Sequence, residues 1–365
     1  MARYRDYYLA KASSVGDSGS YTWALPIGIK IQDIRVIYRS TNGATSNTVG
    51  KLCGMVTKLE VLNGSDVLCS LSGREAQAMY AFNGRADYGK LPYKNLSAAA
   101  AAVVEEEFPL LFGRFFRDPN YYLDTSRYSS PQVRLTHAMT ISATAGFATG
   151  TTTVSIILRI IDSGAAPYAG FMMNKEVEQW TTASSGDDPT YLPLDWPYAG
   201  IMVQGLYTGN AATAVLTNLK LLVNLGQMIP YDMTTQDVAA MNRDQIGAFD
   251  EWFVPLSDTT FTWLSDLYQD VGAWFDIAGA TGKGNISSVT AESIVGTFTT
   301  GQGAGTMRIH AHGLCPHSSF WLPFGDGDTP ADFLDPTQGI TDLRLMKTQG
   351  VASGDGRVVL SQLRQ

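Results

Sequence analysis

Four stretches carry residue types that perform chemistry in other proteins. Gly16-Asp17-Ser18-Gly19-Ser20 has the form of a serine nucleophile loop. Such a serine needs a histidine base and an acid that orients it. In the chymotrypsin-like order both partners precede the serine, whereas the first histidine here is His137. The stretch therefore reads as a small-residue loop. His310 and His312 fall two apart, on one face of a strand, and Cys315 and His317 follow closely. The cupin form of such a motif continues with a glutamate, and residues 313–317 supply none. Asp326, Asp328, Asp332 and Asp335 cluster, but an EF-hand loop counted from Asp326 meets Ala331 and Thr337 where it needs Gly and Glu. The Gly-Lys within 279–285 lacks the glycine spacing and the Ser/Thr of a phosphate loop. No carboxylate pair stands out as acid and base. The expectation is a protein that is not an enzyme, with no catalytic, cofactor-binding or metal-ligating residues.

Composition agrees with a structural role. Only 16% of the 365 residues are charged, against roughly 25% in ordinary soluble domains. Arginine (16) outnumbers lysine (10), the bias that protein interfaces show. A net charge of −8 without a basic run argues against direct nucleic-acid binding. Three scattered cysteines, Cys53, Cys69 and Cys315, make no disulfide framework and read as small buried hydrophobes. The N-terminus has no apolar signal core, and no apolar run approaches the ~20 residues of a membrane span.

The elements that would position any site are mostly strands. Segments 29–38, 133–143, 151–161, 199–207, 293–300 and 357–363 are rich in Val, Ile, Thr and Tyr. Helical signals are confined to 72–83, to the alanine run after Ser97, which Glu105-Glu106-Glu107 would close, and to 234–248. Residues 56–71 alternate as a hairpin turning at Asn63-Gly64, and Ser72 with Glu75 forms a capping box that opens a helix at once.

That unit occurs twice. Leu59, Leu71, Ser72, Glu75 and Met79 align with Leu219, Met233, Thr234, Asp237 and Met241. A second pair sets Phe108, Phe112-Gly113, Leu123-Asp124 and Val133-Arg134-Leu135 against Phe320, Phe324-Gly325, Leu334-Asp335 and Leu343-Arg344-Leu345. The separation is that of whole domains, so the chain reads as two copies of one β-sandwich. The expected division is an N-terminal arm at 1–19, a first domain at 20–165, and a second at 166–365 with an insertion near 242–290 that carries Trp252, Trp263 and Trp274.

Residues 56–79, 217–230 and 320–365 together resemble a double jelly-roll major capsid protein of tailless icosahedral viruses, phage-like, and the resemblance runs from about residue 20 to the end. It implies an all-β chain of two tandem jelly rolls with a few short helices. It further implies homotrimers that form pseudo-hexagonal capsomers of an icosahedral virion, made in the host cytoplasm. Expected partners are other copies of the chain and minor capsid or vertex proteins. An internal viral membrane is a further expected partner, reached by the arm through Arg3, Arg5, Lys11 and the interleaved Tyr4, Tyr7 and Tyr8. The rival readings are a two-domain β-sandwich enzyme, bicupin or carbohydrate-active, and a phage carbohydrate- or receptor-binding protein.

Overall fold

The computed structural model describes residues 2–83 except 46 and 48, 100–207, 210–249, and 313–365 except 326 and 328; within 94–95 and 250–312 it describes stretches of backbone strand only. Eight strands build the first half: β1 (Arg3–Ser14), β2 (Ser18–Ala24), β3 (Lys30–Thr41), β4 (Val56–Asn63), β5 (Asp66–Leu71), β6 (Val103–Leu111), β7 (Pro131–Ala138) and β8 (Thr153–Ser163). Eight more build the second: β9 (Phe171–Thr181), β10 (Gly186–Tyr191), β11 (Tyr198–Leu206), β12 (Leu216–Val223), β13 (Met228–Thr234), β14 (Ser319–Pro323), β15 (Leu343–Gln349) and β16 (Asp355–Arg364). The first set pairs as β1-β8-β3-β6 and β2-β7-β4-β5, the second as β9-β16-β11-β14 and β10-β15-β12-β13. Each is the two-sheet, eight-stranded arrangement of a jelly roll. The chain is all-β with few short helices, and its topology is duplicated strand for strand.

The registers match as closely as the order. Val36 lies opposite Phe108, and Val203 opposite Phe320. Ile34 lies opposite Leu158, and Ile201 opposite Leu360. Each jelly roll has its own core, one around Leu59, Phe108 and Leu135 and the other around Leu219, Phe320 and Leu345. All nine residues of β11 are buried. Ile201 and Val203 face the second core, while Met202, Trp321 and Val359 face the first. The β9-β16-β11-β14 sheet is thus covered on both faces along β11 and β14, which read as apolar runs because no face is left for polar residues.

The hairpin-helix unit recurs as expected. Gly64, at φ 62°, takes the first position of the β4–β5 turn, which falls on Gly64-Ser65, one residue later than expected. Helix α1 (Gly73–Asn83) opens on a reciprocal capping box: Ser72 N–H donates to Glu75 at 2.6 Å and Glu75 N–H donates to Ser72 Oγ at 3.3 Å. Helix α2 (Thr235–Ile246) opens on Thr234, whose Oγ1 accepts from Asp237 N–H at 3.2 Å. Each helix returns across the edge of its own sandwich. The Asn242 amide donates to Trp321 O at 2.7 Å and accepts from Trp321 N–H at 2.9 Å, serving edge strand β14 as a neighbouring strand would. Gln77 Nε2 likewise donates to Glu107 O of β6 at 3.1 Å.

Three expectations need correction. The arm expected at 1–19 is strand β1 together with the start of β2. Residues 3–14 pair antiparallel with β8, and Tyr4 hydroxyl donates to Arg117 O at 2.7 Å. The alanine run does not form a helix that the glutamates close. Ala100 and Ala101 are in a turn, and the three glutamates lie in β6, while 96–99 are outside the described residues. Cross-strand chemistry explains them: Glu105 pairs with Arg39, Glu107 with Arg35 at 3.2 Å, and the Glu106 carboxylate accepts from Leu52 N–H and Gln77 Nε2, each at 3.1 Å. The excursion from the second jelly roll begins after α2 and returns at 313, beyond the expected 242–290. Backbone strand Phe249–Phe253 pairs with Arg308–Gly313 at its base.

Candidate functional site

Several described residues of the candidate chemical motifs make contacts within the fold. Asp17 accepts from Gly150 N–H at 2.8 Å and from the Thr149 hydroxyl. Ser20 Oγ meets Thr136 Oγ1 at 2.8 Å, and Ser18 begins β2. His137, opposite Gly19, turns its ring to the Tyr38 hydroxyl, and burial holds its pKa below the usual imidazole value. Cys315 is buried in the second core, and His317 Nε2 meets Gln77 Oε1 of the first jelly roll at 2.8 Å. Asp335 accepts from Thr337 N–H at 2.9 Å and from its hydroxyl at 2.7 Å, which holds its carboxyl below the usual range. The side chains of His310, His312, Trp252, Trp263 and Trp274, residues Asp326 and Asp328, and the side chains of 279–285 lie outside the described residues.

What the described residues do concentrate is a junction. Strand β5 runs parallel to β9, with Ser70 paired to Lys175, and this joins the facing sheets of the two jelly rolls into one of eight strands. Around this seam Arg364 grips Asp66 with bonds of 2.9 and 2.6 Å, a bidentate pair. Arg357 lies 2.8 Å from Glu176, 3.0 Å from Asp355 and 3.8 Å from Glu75. Phe82 and Trp321 stack across it with centroids 5.8 Å apart. Met172 N–H donates to Phe112 O at 2.8 Å, and Asn174 Nδ2 to Leu111 O at 3.3 Å. Apart from Arg357 with Asp355, two residues away, none of these partners was legible as a pair from one sequence, because each links residues far apart in the chain.

Glu75 is the strained member of the seam. It is fully buried, and its carboxyl is raised well above the ordinary value by loss of solvent and by the facing Glu176 carboxylate, against the pull of Arg357. The acid form is therefore favoured in the fold. Its contribution to stability is complete below the unfolded glutamate pKa of about 4.3 and is lost as pH rises through the raised folded value. Glu75→Gln keeps an acceptor for Ser72 N–H and gains a donor toward Glu176. We predict equal thermal stability of the variant and the parent near pH 4 and a more stable variant at pH 8. Unfolding curves at both pH values check this, and a variant less stable at pH 8 would show that ionised Glu75 is paired with Arg357 after all.

One end of the molecule gathers exposed apolar side chains. The loops after β2, β4 and β6 meet there, as the bonds Ile29 N–H to Thr125 Oγ1 at 2.9 Å and Ser130 N–H to Asn63 Oδ1 at 2.9 Å show. In the second jelly roll, Leu192 N–H to Leu343 O at 2.9 Å and Asn224 N–H to Asp342 O at 2.8 Å bring the equivalent loops together. Ile27, Tyr191, Leu194, Leu225, Met228 and Ile229 are all exposed at this end.

Searches of known structures find this same duplicated fold. The major capsid protein P2 of bacteriophage PM2 superposes with a TM-score of 0.56 at 10% identity, covering 100% of this chain and 98% of that one. A chain from the atomic structure of Sulfolobus Turreted Icosahedral Virus gives 0.61 at 11% identity, covering 98% and 90%. VP54 of PBCV-1 gives 0.60 at 11% identity, covering 99% and 93%. The chain is therefore similar along its whole length to double jelly-roll major capsid proteins, and it has their fold. No protein-family model and no curated protein matches the sequence.

Proposed function

We propose that this chain is the major capsid protein of an icosahedral virus, assembling as homotrimers whose six jelly rolls make a pseudo-hexagonal capsomer. The observation that carries the reading is the strand-for-strand duplication, with the two copies fixed edge to edge by β5 and β9. Two like barrels per chain let a threefold object fill a sixfold site. In this reading the first jelly roll spans β1 to β8, extending the expected 20–165 back to Arg3, and the second spans 166–365 with its insertion. The role is structural, without catalysis. Virion localisation, synthesis in the host cytoplasm, and minor capsid or vertex proteins as partners belong to the same proposal. Contact with an internal membrane would fall to the apolar loop end, Ile27, Tyr191 and Leu225 among it, because residues 3–14 are paired as a strand of the first jelly roll.

Native mass measurement tests the proposal. The expected species is three times the 39.5 kDa chain, or a shell of such units, with contacts above ~2,000 Å² in total, the obligate class. A protein that stays monomeric at every concentration, and forms no particles in electron micrographs, would rule it out.

A further inference from the structure

The seam between β5 and β9 is satisfied once in the chain, yet both jelly rolls own the strands that make it. The register equivalences locate the second set. Ile34 and Ile201 correspond, so their partners Leu158 and Leu360 correspond. Tyr7 lies opposite Leu158 and Lys175 opposite Leu360, so Tyr7 is the counterpart of Lys175. A register shift confirms it independently, falling between Tyr8 and Ala10 in β1 and between Glu176 and Glu178 in β9. On the other strand, Leu59 pairs with Leu71 and Glu60 with Ser70, while Leu219 pairs with Met233 and Lys220 with Asp232. Asp232 is therefore the counterpart of Ser70, and Asp237 of Glu75.

Burial separates the two sets. Ser70, Ser72, Glu75, Met172, Met173 and Asn174 are buried in the seam. Their counterparts Asp232, Thr234, Asp237, Arg5 and Asp6 are exposed, and Tyr4 is half-buried. Tyr7 and Tyr8 stand 48% and 52% exposed on β1. Strands β2 and β10 also end their sheets, but they are counterparts of each other and are left alike in both jelly rolls. Among the described residues β6 also carries a short strand at Lys94–Asn95 that its twin β14 lacks, but β1 and β13 are the edges left without the inter-domain seam that their twins β9 and β5 make. The charge balance is complementary: β13 and the start of α2 present Asp232, paired with Lys220, and Asp237, while β1 presents Arg3, Lys11 and Arg5, the last paired with Asp162, beside one carboxylate, Asp6, that Arg159 holds.

We propose that β13 of one copy docks parallel to β1 of the next, with Asp232 beside Tyr7, repeating the internal Ser70–Lys175 seam between chains. The contact is head to tail. It closes into a ring if the internal and external seams turn the chain by the same angle, and six equal steps close at three chains. This rests on the homotrimer reading and specifies its surface. It also explains why an edge strand carries two adjacent exposed tyrosines, since a bare edge of that length is otherwise a liability.

The test is a disulfide across the seam. Parallel neighbours have Cα separations that a disulfide spans, about 4.4–6.8 Å, and the native Cys53, Cys69 and Cys315 are buried. The double variant Tyr7→Cys, Asp232→Cys is oxidised and run without reductant, beside each single variant and beside Ser70→Cys, Lys175→Cys. The expected result is a covalent ladder in the first double variant that stops at three chains, with no ladder in the single variants. The Ser70, Lys175 pair should close within the chain and leave its mass unchanged. A double variant that sizes as a trimer but forms no interchain disulfide overturns the seam while leaving the trimer reading intact. A ladder that runs past three chains, or a dimer from Tyr7→Cys alone, also overturns it. A monomer under all conditions, with the parent protein monomeric as well, removes the trimer reading itself.

Discussion

Lys347→Met is expected to lower unfolding stability by about 3 kcal/mol, the lower range for breaking a buried ion pair by removing one partner. Lys347 is wholly buried in β15, with Nζ 2.8 Å from Glu178 of β9 and 2.9 Å from Asp188 of β10. The ammonium also sits 3.6 Å from the centroid of the Trp180 ring, a desolvated cation–π contact. The ring has nowhere to retreat, because a Cβ on Gly356 behind it would fall 2.3 Å from Cε2. One cation thus ties the two sheets of the second jelly roll together. The carboxylates retain 27% and 32% of their exposure, so water softens the loss and the figure stays at the lower end. Adding Glu178→Gln and Asp188→Asn to Lys347→Met should restore most of the stability, because no charge is then left without a partner. Denaturant midpoints of the parent, the single variant and the triple variant decide it. A neutral Lys347→Met would mean that the site is wet and the pair carries little.

The lysine was invisible in the sequence for a plain reason. Position 347 alternates with Leu345 and Gln349 on the inward face of β15, with the burial pattern of a core strand. Nothing in one sequence marks a lysine there as buried, since its partners lie about 160 residues away. The elements that were legible owed it to local chemistry. Ser72 with Glu75 and Thr234 with Asp237 are capping signals three residues apart, and Gly64 marks its own turn. The repeat was legible where cores demand like residues, at Leu59 and Leu219 or Phe108 and Phe320.

Strand β1 was missed because it gives no period to read. Its burial runs almost wholly exposed, only Ala10 is fully inside, and three register shifts break the alternation. Its counterpart β9 shares no residue pattern with it, since β9 is covered on both faces at its start while β1 is open. The alanine run misled in the opposite sense. Helix propensity around 97–102 is real, but Glu105 and Glu107 are claimed by Arg39 and Arg35 across the sheet and Glu106 by Leu52 N–H and the α1 residue Gln77, and tertiary pairing overrides propensity. The junction of the two jelly rolls is made mostly of such distant pairs.

Phe108→Ala and Phe320→Ala are each expected to cost about 3–5 kcal/mol. Both rings are fully buried, and each faces the equivalent valine, Val36 or Val203, on the neighbouring strand. The duplication therefore predicts like penalties at two positions more than 200 residues apart. Phe108 is the more tightly held, with a Cβ on Gly73 of α1 reaching within 3.1 Å of its ring, so its cavity collapses less and its cost should be the larger. Whether the jelly rolls unfold separately follows from the same pair. The rings belong to different cores, but the β9-β16-β11-β14 sheet lies between them and turns Ile201 to one and Met202 to the other. Two alanines would approach the whole ~5–15 kcal/mol of a domain, so the cycle is best run with Phe108→Leu and Phe320→Leu. Additivity within about 0.5 kcal/mol is the result for independent sites. A single cooperative transition with a coupling above about 1 kcal/mol would instead show that the shared sheet makes the two cores one folding unit, and would contradict the independence argued from their separate packing.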